Sequence, residues 1–373
     1  MSKISTKRGN DRLLTNAPYN HVRSTPSRMK RKTAPQIHAL GSHPHSHQHL
    51  SNDATPTAPQ RKFSVVSMFS GCGGMDLGFH GGFTIFGREY DLLPFEVIWA
   101  NEHNAAACRT YKKNLGVEIK CEDVWTAIDS IPHQADVLIG GFPCQDVSVN
   151  GKREGVNGKR TGLYKAMIEG IKRAKPKVFV AENVKGLLMK DDGASIRQVV
   201  SDFEELGYKV SYELHDAANF GVPQTRERVI IIGVSDKARN FAHPSPVLTK
   251  DSWVTAKTAL ADLELRPESP EFNHTWSRAN KSGEQGNRKL VADRPGYTIR
   301  AECHGNIQYH YSLKRRISMR EAARIQSFPD TFIFDAKLRE TERQVGNAVP
   351  PVLAWHVARA VEKYLSDGDA RQG

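Results

Sequence analysis

An apolar run that ends in a cysteine restricts the fold of this chain more than any other feature. Residues 137–148 read Val-Leu-Ile-Gly-Gly-Phe-Pro-Cys-Gln-Asp-Val-Ser, and the start of this run is typical of a strand buried on both faces. Two glycines then break the strand, and Pro143 stiffens the turn that presents Cys144. Parallel sheets bind their ligands at the carboxyl ends of strands. Cys144 is therefore a candidate nucleophile, although a single cysteine is more often a small buried thiol.

A second apolar run favours the catalytic interpretation. Residues 178–184 read Val-Phe-Val-Ala-Glu-Asn-Val, so that Glu182 follows four apolar residues. If both runs are parallel strands, Cys144 and Glu182 lie at the same edge of one sheet. A nucleophile beside an acid predicts a reaction site there.

Two further runs point to a nucleoside-containing cofactor. Residues 63–69 predict a first strand, and the glycine-rich stretch 70–78 that follows lets the backbone approach a ligand closely. This signal alone is weak, because the glycine spacing is not that of the dinucleotide-binding turn. Glu102 ends the next apolar run, where an acid can accept the hydroxyls of a ribose. Asp123 either receives an amino group such as that of adenine or caps the helix that follows it.

Composition narrows the class of protein. The chain has 373 residues, which suits one large domain or two modest ones. We expect no membrane span and no secretory signal. The five cysteines form no C-x-x-C pair, which argues against a disulfide framework or a zinc site of that type. We therefore expect no metal and a reducing, cytoplasmic location.

Most of the positive charge lies at the amino terminus. Residues 1–62 hold eleven Lys and Arg against two Asp, a charge of +9 out of the net +12. This stretch is too polar to bury much, and we predict a disordered basic tail. Its charge indicates a nearby polyanion or is incidental. The histidine run at 43–49 is interpreted as solvated low complexity rather than a metal site.

The predicted domains follow from where periodicity fades. From about residue 235 to 293, polar residues and prolines become frequent and no clear helix or strand period remains. This stretch is interpreted as a separate small domain or a long functional insertion.

Six motifs, taken in order, resemble the DNA cytosine-5 methyltransferase family, in particular its bacterial restriction–modification members. They are Phe69-Ser-Gly-Cys-Gly-Gly74, Gly141-Phe-Pro-Cys144-Gln, Glu182-Asn-Val184, Gln224-Thr-Arg-Glu-Arg228, Arg294 with Thr298-Ile-Arg300, and Gly346-Asn-Ala-Val-Pro-Pro351. The similarity covers about residues 63–365. It implies an α/β fold with a doubly wound, mostly parallel sheet. It further implies a catalytic and cofactor-binding domain at 63–240, completed by 335–373, and a small DNA target-recognition domain at 241–334. It also implies S-adenosylmethionine as methyl donor, a specific short sequence of double-stranded DNA as substrate, and a monomer that pairs functionally with a restriction endonuclease.

The resemblance also assigns cofactor contacts. They are Phe69, Ser70, Gly71, Cys72, Gly73, Gly74, Glu102, His103, Asp123, Val124, Pro143 and Asn347. Two positions depart from the family pattern. His103 stands where a tryptophan often stacks on adenine, and Thr161-Gly162 stands where the family often has Arg-Gly or Lys-Gly. Both departures affect cofactor contacts and not the reacting atoms.

The expected chemistry explains the catalytic residues that the resemblance implies. Addition of the Cys144 thiolate at carbon 6 of cytosine makes carbon 5 nucleophilic, and positive charge from Arg226 or Arg228 favours that thiolate. Glu182 supplies a proton or a strong hydrogen bond to N3. The target base must leave the duplex to be reached. No residue identifies the base that removes the carbon 5 proton.

Sequence choice is assigned to polar residues, most of them in the segment 244–293. Arginine suits the edge of guanine, and asparagine or glutamine suits adenine. The candidate DNA contacts are Gln145, Ser148, Asn273, Arg278, Arg288 and Arg300. Trp253 and Trp276 either stack on bases or pack the small domain. A solvated insertion is the other interpretation of this segment.

Three other functions remain to be weighed against DNA methylation. A tRNA methyltransferase would share the motifs, but the long variable segment favours duplex DNA. A DNA-binding regulator with an inactive core is disfavoured because every catalytic role is filled. A nicotinamide-dependent oxidoreductase is disfavoured by the spacing of the glycine turn.

Overall fold

A mostly parallel sheet forms the centre of the protein, whose computed structural model describes residues 61–142, 163–279, 287–301 and 307–371. The strands are β1 (Phe63–Met68), β2 (Phe83–Ile85), β3 (Arg88–Tyr90), β4 (Phe95–Glu102), β5 (Lys120–Cys121), β6 (Val137–Gly141), β7 (Val178–Val184), β8 (Lys209–Asp216), β9 (Gln224–Thr225), β10 (Glu227–Val234) and β11 (Gly296–Tyr297). Within the described ranges, seven of them form the sheet in the order β5-β4-β1-β6-β7-β10-β8. Neighbours from β5 to β7 are parallel, whereas β10 runs antiparallel to β7 and β8.

Helices cover both faces of this sheet. They are α1 (Gly74–His80), α2 (Ala105–Leu115), α3 (Val124–Ala127), α4 (Leu163–Ala174), α5 (Gly186–Met189), α6 (Ala194–Glu204), α7 (Ala256–Leu260), α8 (Met319–Ile325), α9 (Leu338–Asn347) and α10 (Pro351–Asp369). Residues of α3, α4 and α6 pack on one face, and residues of α1 and α10 pack on the other. This arrangement confirms the predicted α/β fold with a doubly wound, mostly parallel sheet. In the part of the chain that the structure describes, no helix is long and apolar enough to cross a membrane.

Alternation along the strands produces the two layers. In β6, Leu138 belongs to the core under α4, while Val137 and Ile139 belong to the core under α10. All three side chains are fully buried, because successive residues of a strand point to opposite faces and both faces are covered. The uninterrupted apolar run that predicted this strand is therefore the consequence of its central place in the sheet.

A third apolar core connects the later part of the chain to the sheet. It combines side chains from distant positions, namely Phe83, Phe220, Leu260, Ile325 and Val352. The residues that the structure describes accordingly belong to one compact unit. The predicted boundaries of a catalytic domain at 63–240 with 335–373, and of a recognition domain at 241–334, stay a prediction.

The described chain begins just before β1. The Arg61 guanidinium lies 3.1 Å from Asp136 and 2.8 Å from Asp369, so that it joins the start of the chain to the loop before β6 and to α10. Residues 1–60 of the predicted tail lie outside the described residues.

Candidate active site

A cavity of about 1030 Å³ lies at the carboxyl ends of the parallel strands β1, β4, β6 and β7. This is the edge at which a parallel sheet binds its ligands. Residues from all six motifs line it, namely 69–72 with Gly74, 140–142, 182–184, 226–228, 298–301 and 346–349. The motifs are far apart in the sequence, and the fold brings them to one place.

The turn between β1 and α1 forms one wall of the cavity. Its backbone is strongly bent, with positive φ at Phe69 (55°), Gly71 (57°) and Gly73 (94°). A Cβ at Gly71 would meet nothing within 4 Å, whereas one at Gly74 would lie 2.5 Å from the Val349 carbonyl oxygen. Gly71 thus leaves the turn open towards the cavity, and Gly74 allows the close approach of the chain that carries the last motif.

Glu102, at the end of β4, faces the same turn. Its Oε2 accepts a hydrogen bond from Gly71 N at 3.0 Å, and its Oε1 accepts one from Asn104 N at 2.8 Å. His103 Nδ1 lies 3.0 Å from Oε1. Burial pushes the pKa of Glu102 up, but hydrogen bonds from His103, Asn104 and Gly71 outweigh it and hold the pKa below its ordinary value. The same pair raises the pKa of His103. Glu102 is therefore an ionised acceptor in the cavity wall.

Asp123 caps the helix that follows it. Its side chain accepts a hydrogen bond from Trp125 N at 2.9 Å at the start of α3, which is the capping role that the sequence left open. Val124 is buried. Neither residue belongs to the cavity wall among the described residues, and their contact with a cofactor stays a prediction.

Cys72 is also part of the turn, but its chemistry differs from that expected of a nucleophile. The thiol is buried, and burial is the main cause that raises its pKa. Cys72 therefore packs in the wall as a neutral thiol.

An ion pair stands at the opposite wall of the cavity. Arg228 Nε lies 2.7 Å from Glu182 Oε1, and both side chains are 11% exposed. Glu182 lies near the end of β7, directly opposite Ile230 in β10 and Gly141 in β6. A Cβ at Gly141 would be only 3.1 Å from Glu182 Oε2. The second glycine after the apolar run therefore makes room for the carboxylate.

Arg226 has a different set of partners. Its side chain is 1% exposed, and it donates to the carbonyl oxygens of Ile299 at 2.9 Å, Gly346 at 2.8 Å and Ala348 at 3.2 Å. Burial lowers its pKa, and repulsion from Arg228 lowers it further. Arg226 thus ties the last two motifs together, whereas Arg228 carries the charge beside Glu182.

The loop with the predicted nucleophile begins at this place. Pro143, Cys144, Gln145 and Ser148, together with Thr161-Gly162, lie outside the described residues. The residue before them, Phe142, lines the cavity, and its carbonyl accepts a hydrogen bond from Asn183 Nδ2 at 2.9 Å. The chain therefore enters the Cys144 loop from the wall that holds Glu182.

Three of the predicted DNA contacts are exposed, and one of them lines the cavity. Arg300 is exposed and lines the cavity, as does Asn347, which is predicted to contact the cofactor. Arg278 is exposed, pairs with Glu268 and lies 5.1 Å from the Trp276 ring, and the exposed Arg288 lies 5.4 Å from the Tyr297 ring.

Asn273 is used inside the fold instead. It is buried, its Nδ2 donates to Phe334 O at 2.9 Å, and its Oδ1 accepts from Phe334 N at 2.8 Å. Both polar atoms of its side chain are therefore occupied within the fold, in contrast to the prediction that Asn273 contacts DNA. Trp253 Nε1 donates to Asn219 Oδ1 at 3.0 Å, as in the packing role considered for it.

The sequence interpretation missed several amides that assemble the site. Asn183 holds Phe142, and Asn104 caps α2 while its backbone bonds Glu102. Gln224 Oε1 accepts from Ile299 N at 2.8 Å, and its Nε2 donates to Ile325 O at 3.2 Å. Asn183 and Gln224 lie within two of the six motifs, and their membership of these motifs could have identified them as site residues.

The site fits the methyl donor that the motifs imply. Glu102 offers carboxylate oxygens for ribose hydroxyls, and the open side of Gly71 leaves room for a ligand next to them. Glu182 and Arg228 lie across the same cavity.

Comparisons with known proteins point to one family. The family described as C-5 cytosine-specific DNA methylase matches residues 63–292 and 271–363. The Type II methyltransferase M.NgoFVII of Neisseria gonorrhoeae is 36% identical over 344 residues, which cover 82% of this chain and 88% of the relative. The Type II methyltransferase M.FnuDI of Fusobacterium nucleatum is 32% identical over 338 residues, which cover 81% of this chain and 95% of that protein.

Solved structures share the fold. The Dnmt2 methyltransferase of S. pombe superposes with a TM-score of 0.63 at 18% identity, covering 81% of this chain and 99% of that one. The methyltransferase EhMeth of Entamoeba histolytica gives 0.59 at 14% identity, covering 82% and 99%. The chain therefore belongs to the family of C-5 cytosine-specific DNA methylases, enzymes that transfer a methyl group from S-adenosylmethionine to carbon 5 of cytosine in DNA.

Proposed function

We propose that the cavity methylates a flipped cytosine through a covalent adduct between Cys144 and carbon 6. The observation that carries this proposal is the pairing of Glu182 with Arg228 at 2.7 Å in the cavity that also holds the glycine turn and Glu102. An acid, a fixed positive charge and a nucleoside-binding carboxylate are the groups that this reaction requires.

The residues of the chain divide the work. The Cys144 thiolate bonds to carbon 6, and Glu182 donates a proton or a strong hydrogen bond to N3 as charge builds up on the ring. Arg228 orients Glu182 and contributes positive charge, while Arg226 positions the neighbouring motifs. Residues 69–74, Glu102 and Asn347 would hold S-adenosylmethionine, which when bound would supply a methyl group to carbon 5 and leave as S-adenosylhomocysteine. A base that no residue identifies then takes the carbon 5 proton, and the electron pair of that bond expels the thiolate from carbon 6.

A trapping experiment tests the nucleophile. A DNA duplex with 5-fluorocytosine at the target should form a stable adduct with the protein. Carbon 5 then carries fluorine in place of the proton whose removal releases the enzyme. Peptide mass analysis should locate the adduct on Cys144. Cys144→Ser should abolish the adduct and nearly all turnover, because a hydroxyl is rarely ionised at pH 7.

Cys121→Ser is the matched control, since Cys121 is an exposed free cysteine. An adduct that persists in Cys144→Ser, or that lies on Cys72 or Cys121, would refute the assignment.

We further infer that the enzyme modifies one short duplex sequence as part of a restriction–modification system. Its Type II methyltransferase relatives support this role. The inferred partner is an endonuclease of the same specificity, and the inferred enzyme is a monomer. Sequencing of host DNA with a method that reads 5-methylcytosine should reveal one methylated motif. DNA from that host should resist an endonuclease that cuts this motif.

We assign the choice of sequence to residues 244–293. The motifs around this segment serve any target and cannot distinguish one site from another. Replacement of 244–293 by the matching segment of a relative with a different specificity should transfer that specificity. Arg278→Ala or Arg288→Ala should relax preference at one base pair, or lower activity on the cognate site, without weakening S-adenosylmethionine binding. An active chimera that still methylates the original sequence would contradict the assignment.

A further inference from the structure

The edge strand β8 carries a cluster of polar side chains away from the cavity. Ser211, Glu213 and His215 alternate along this strand, so that all three point to the same face of the sheet. This is the face covered by α10. His243, from the segment after β10, reaches the same place, where its Nε2 lies 2.9 Å from Ser211 Oγ. None of these four residues belongs to the motifs or to the cavity wall.

The cluster brings three metal-ligand atoms together. The ligand atoms of Glu213, His215 and His243 all lie within 4.8 Å of one another. His215 Nε2 is 3.9 Å from Glu213 Oε2, and the His215 and Glu213 side chains are 4% and 55% exposed. The exposed carboxylate can move towards an ion, while the buried imidazole is fixed by its surroundings.

Two nitrogens in the cluster lack the partners that buried polar atoms normally have. In the described part of the chain, His215 Nε2 and His243 Nδ1 are buried and have no hydrogen-bond partner. Most buried polar atoms are satisfied, and each exception requires an explanation. The two rings lie 6.0 Å apart between centroids, which leaves space for one atom shared by both nitrogens.

We propose that Glu213, His215 and His243 bind a divalent transition-metal ion, with Zn²⁺ as the preferred ion. Two imidazoles and one carboxylate are a common zinc ligand set, and they leave a fourth position of the tetrahedron open. When Ser211 accepts the Nε2 hydrogen of His243, the Nδ1 lone pair faces the cluster. Ser211 then fixes the tautomer, as partners of ligating histidines usually do.

The protonation of the two rings is compatible with an ion. Burial lowers the pKa of His215 and of His243 to about 4, and for His243 the neighbouring His215 lowers it further. Both imidazoles are therefore neutral at pH 7 and offer lone pairs. A buried water bridging the two nitrogens is the rival explanation.

An ion at this place would clamp the chain to the sheet. The segment after β10 leads to α7, and His243 would hold it against β8, which is an edge strand of the sheet within the described residues. His215 lies directly opposite Arg228 across the β8–β10 ladder, so that the bound ion would also stiffen the strand next to the active-site arginine. The site is structural and takes no part in the methyl transfer.

Metal titration of the full chain tests this site. The histidines at 43, 45, 47 and 49 of the tail are first replaced by asparagine, because they could bind metal themselves. This parent should bind one Zn²⁺ per chain in calorimetry, and its unfolding temperature should rise with added Zn²⁺. Glu213→Gln should weaken the binding at least tenfold, and Glu213→Gln combined with His243→Asn should abolish both effects. His133→Asn, on an exposed loop, is the matched control and should behave as the parent.

Cobalt(II) provides an independent readout of the ligands. The Co²⁺ spectrum of the parent should show nitrogen and oxygen ligation without the near-ultraviolet band of a cobalt–thiolate bond. Circular dichroism verifies that each variant is folded. Absence of Zn²⁺ binding by the parent, equal binding by the double variant, or a thiolate band from bound Co²⁺ would each overturn the proposal.

Discussion

Arg226 and Arg228 are two residues apart, and the same substitution should lower stability at one position and turnover at the other. The Arg226 side chain serves backbone carbonyls of two other motifs, whereas Arg228 lies against the Glu182 carboxylate. Replacing each by lysine retains the charge and removes the planar fork of donors. Arg226→Lys should therefore lower the free energy of unfolding, and Arg228→Lys should mainly lower turnover.

The magnitudes follow from the contacts. Arg226 uses separate nitrogens for Ile299 O at 2.9 Å and Gly346 O at 2.8 Å, and a single ammonium cannot reach both. The loss of one charge-assisted hydrogen bond costs about 1.5–3 kcal/mol, and a carbonyl left buried without a donor costs a similar amount. We expect Arg226→Lys to destabilise the protein by about 2–5 kcal/mol.

Arg228→Lys retains the charge beside Glu182, and we expect it to lower the free energy of unfolding less than Arg226→Lys does. Loss of an aligned donor at a reacting centre typically lowers kcat by about 10²-fold. The two variants thus separate positioning of the fold from action at the reacting base.

Two assays decide between these roles. Urea unfolding followed by circular dichroism gives the free energies, and transfer of labelled methyl groups to DNA gives kcat and KM for both substrates. The assignment of a structural role to Arg226 and a role in turnover to Arg228 is wrong if Arg226→Lys is as stable as the parent and loses as much turnover as Arg228→Lys. It is also wrong if Arg228→Lys is the less stable of the two.

Three further predictions concern the cofactor, pH and DNA. Glu102→Gln should weaken S-adenosylmethionine binding in calorimetry by about 10–100-fold, because an amide group then faces backbone donors and the charged acceptor is lost; the exposed Glu118→Gln is the control. Burial raises the pKa of Asp76 to about 6, so the folded chain holds a proton that the unfolded chain releases near pH 4. The contribution of Asp76 to the free energy of unfolding should therefore fall as pH rises from about 4 to about 6. The difference in that free energy between the parent and Asp76→Asn should change accordingly in urea titrations. Deleting residues 1–60 should flatten the salt dependence of DNA affinity, by about 0.9 in log–log slope for each phosphate that the tail neutralises, while the methylated sequence stays the same.

The central sheet was predictable because its strands are buried on both faces. Apolar runs at 137–141 and 178–181 have no polar alternation, which only a strand covered by helices on both sides tolerates. The carboxyl ends of such strands lie at one edge, and this topology alone brought Glu182 and the glycine turn together. The sequence therefore contained enough local information for the place of the cavity.

The partners of individual side chains were not predictable in the same way. Arg226 bonds residues 73 and 120 positions later in the chain, and no local period records such contacts. Asn273 has the amide of a base-reading residue but uses both polar atoms to bond Phe334. A polar side chain in a variable segment can read a ligand or satisfy the backbone, and only the fold decides which.

The fold also bears on the proposed recognition segment, residues 244–293. The short strands β9 and β11, on either side of it, pair in parallel, and Gly296 N donates to Pro223 O at 2.8 Å. Close to the far end of the segment, Ala256 N donates to Arg294 O at 2.7 Å. The two ends are therefore held together next to Arg226, and a change of length between them alters the loop without moving the ends apart. Loop closure costs little more as a loop lengthens. If residues 244–293 select the DNA sequence as proposed, this pairing would permit a change of residues there while Glu182 and Arg228 remain in place.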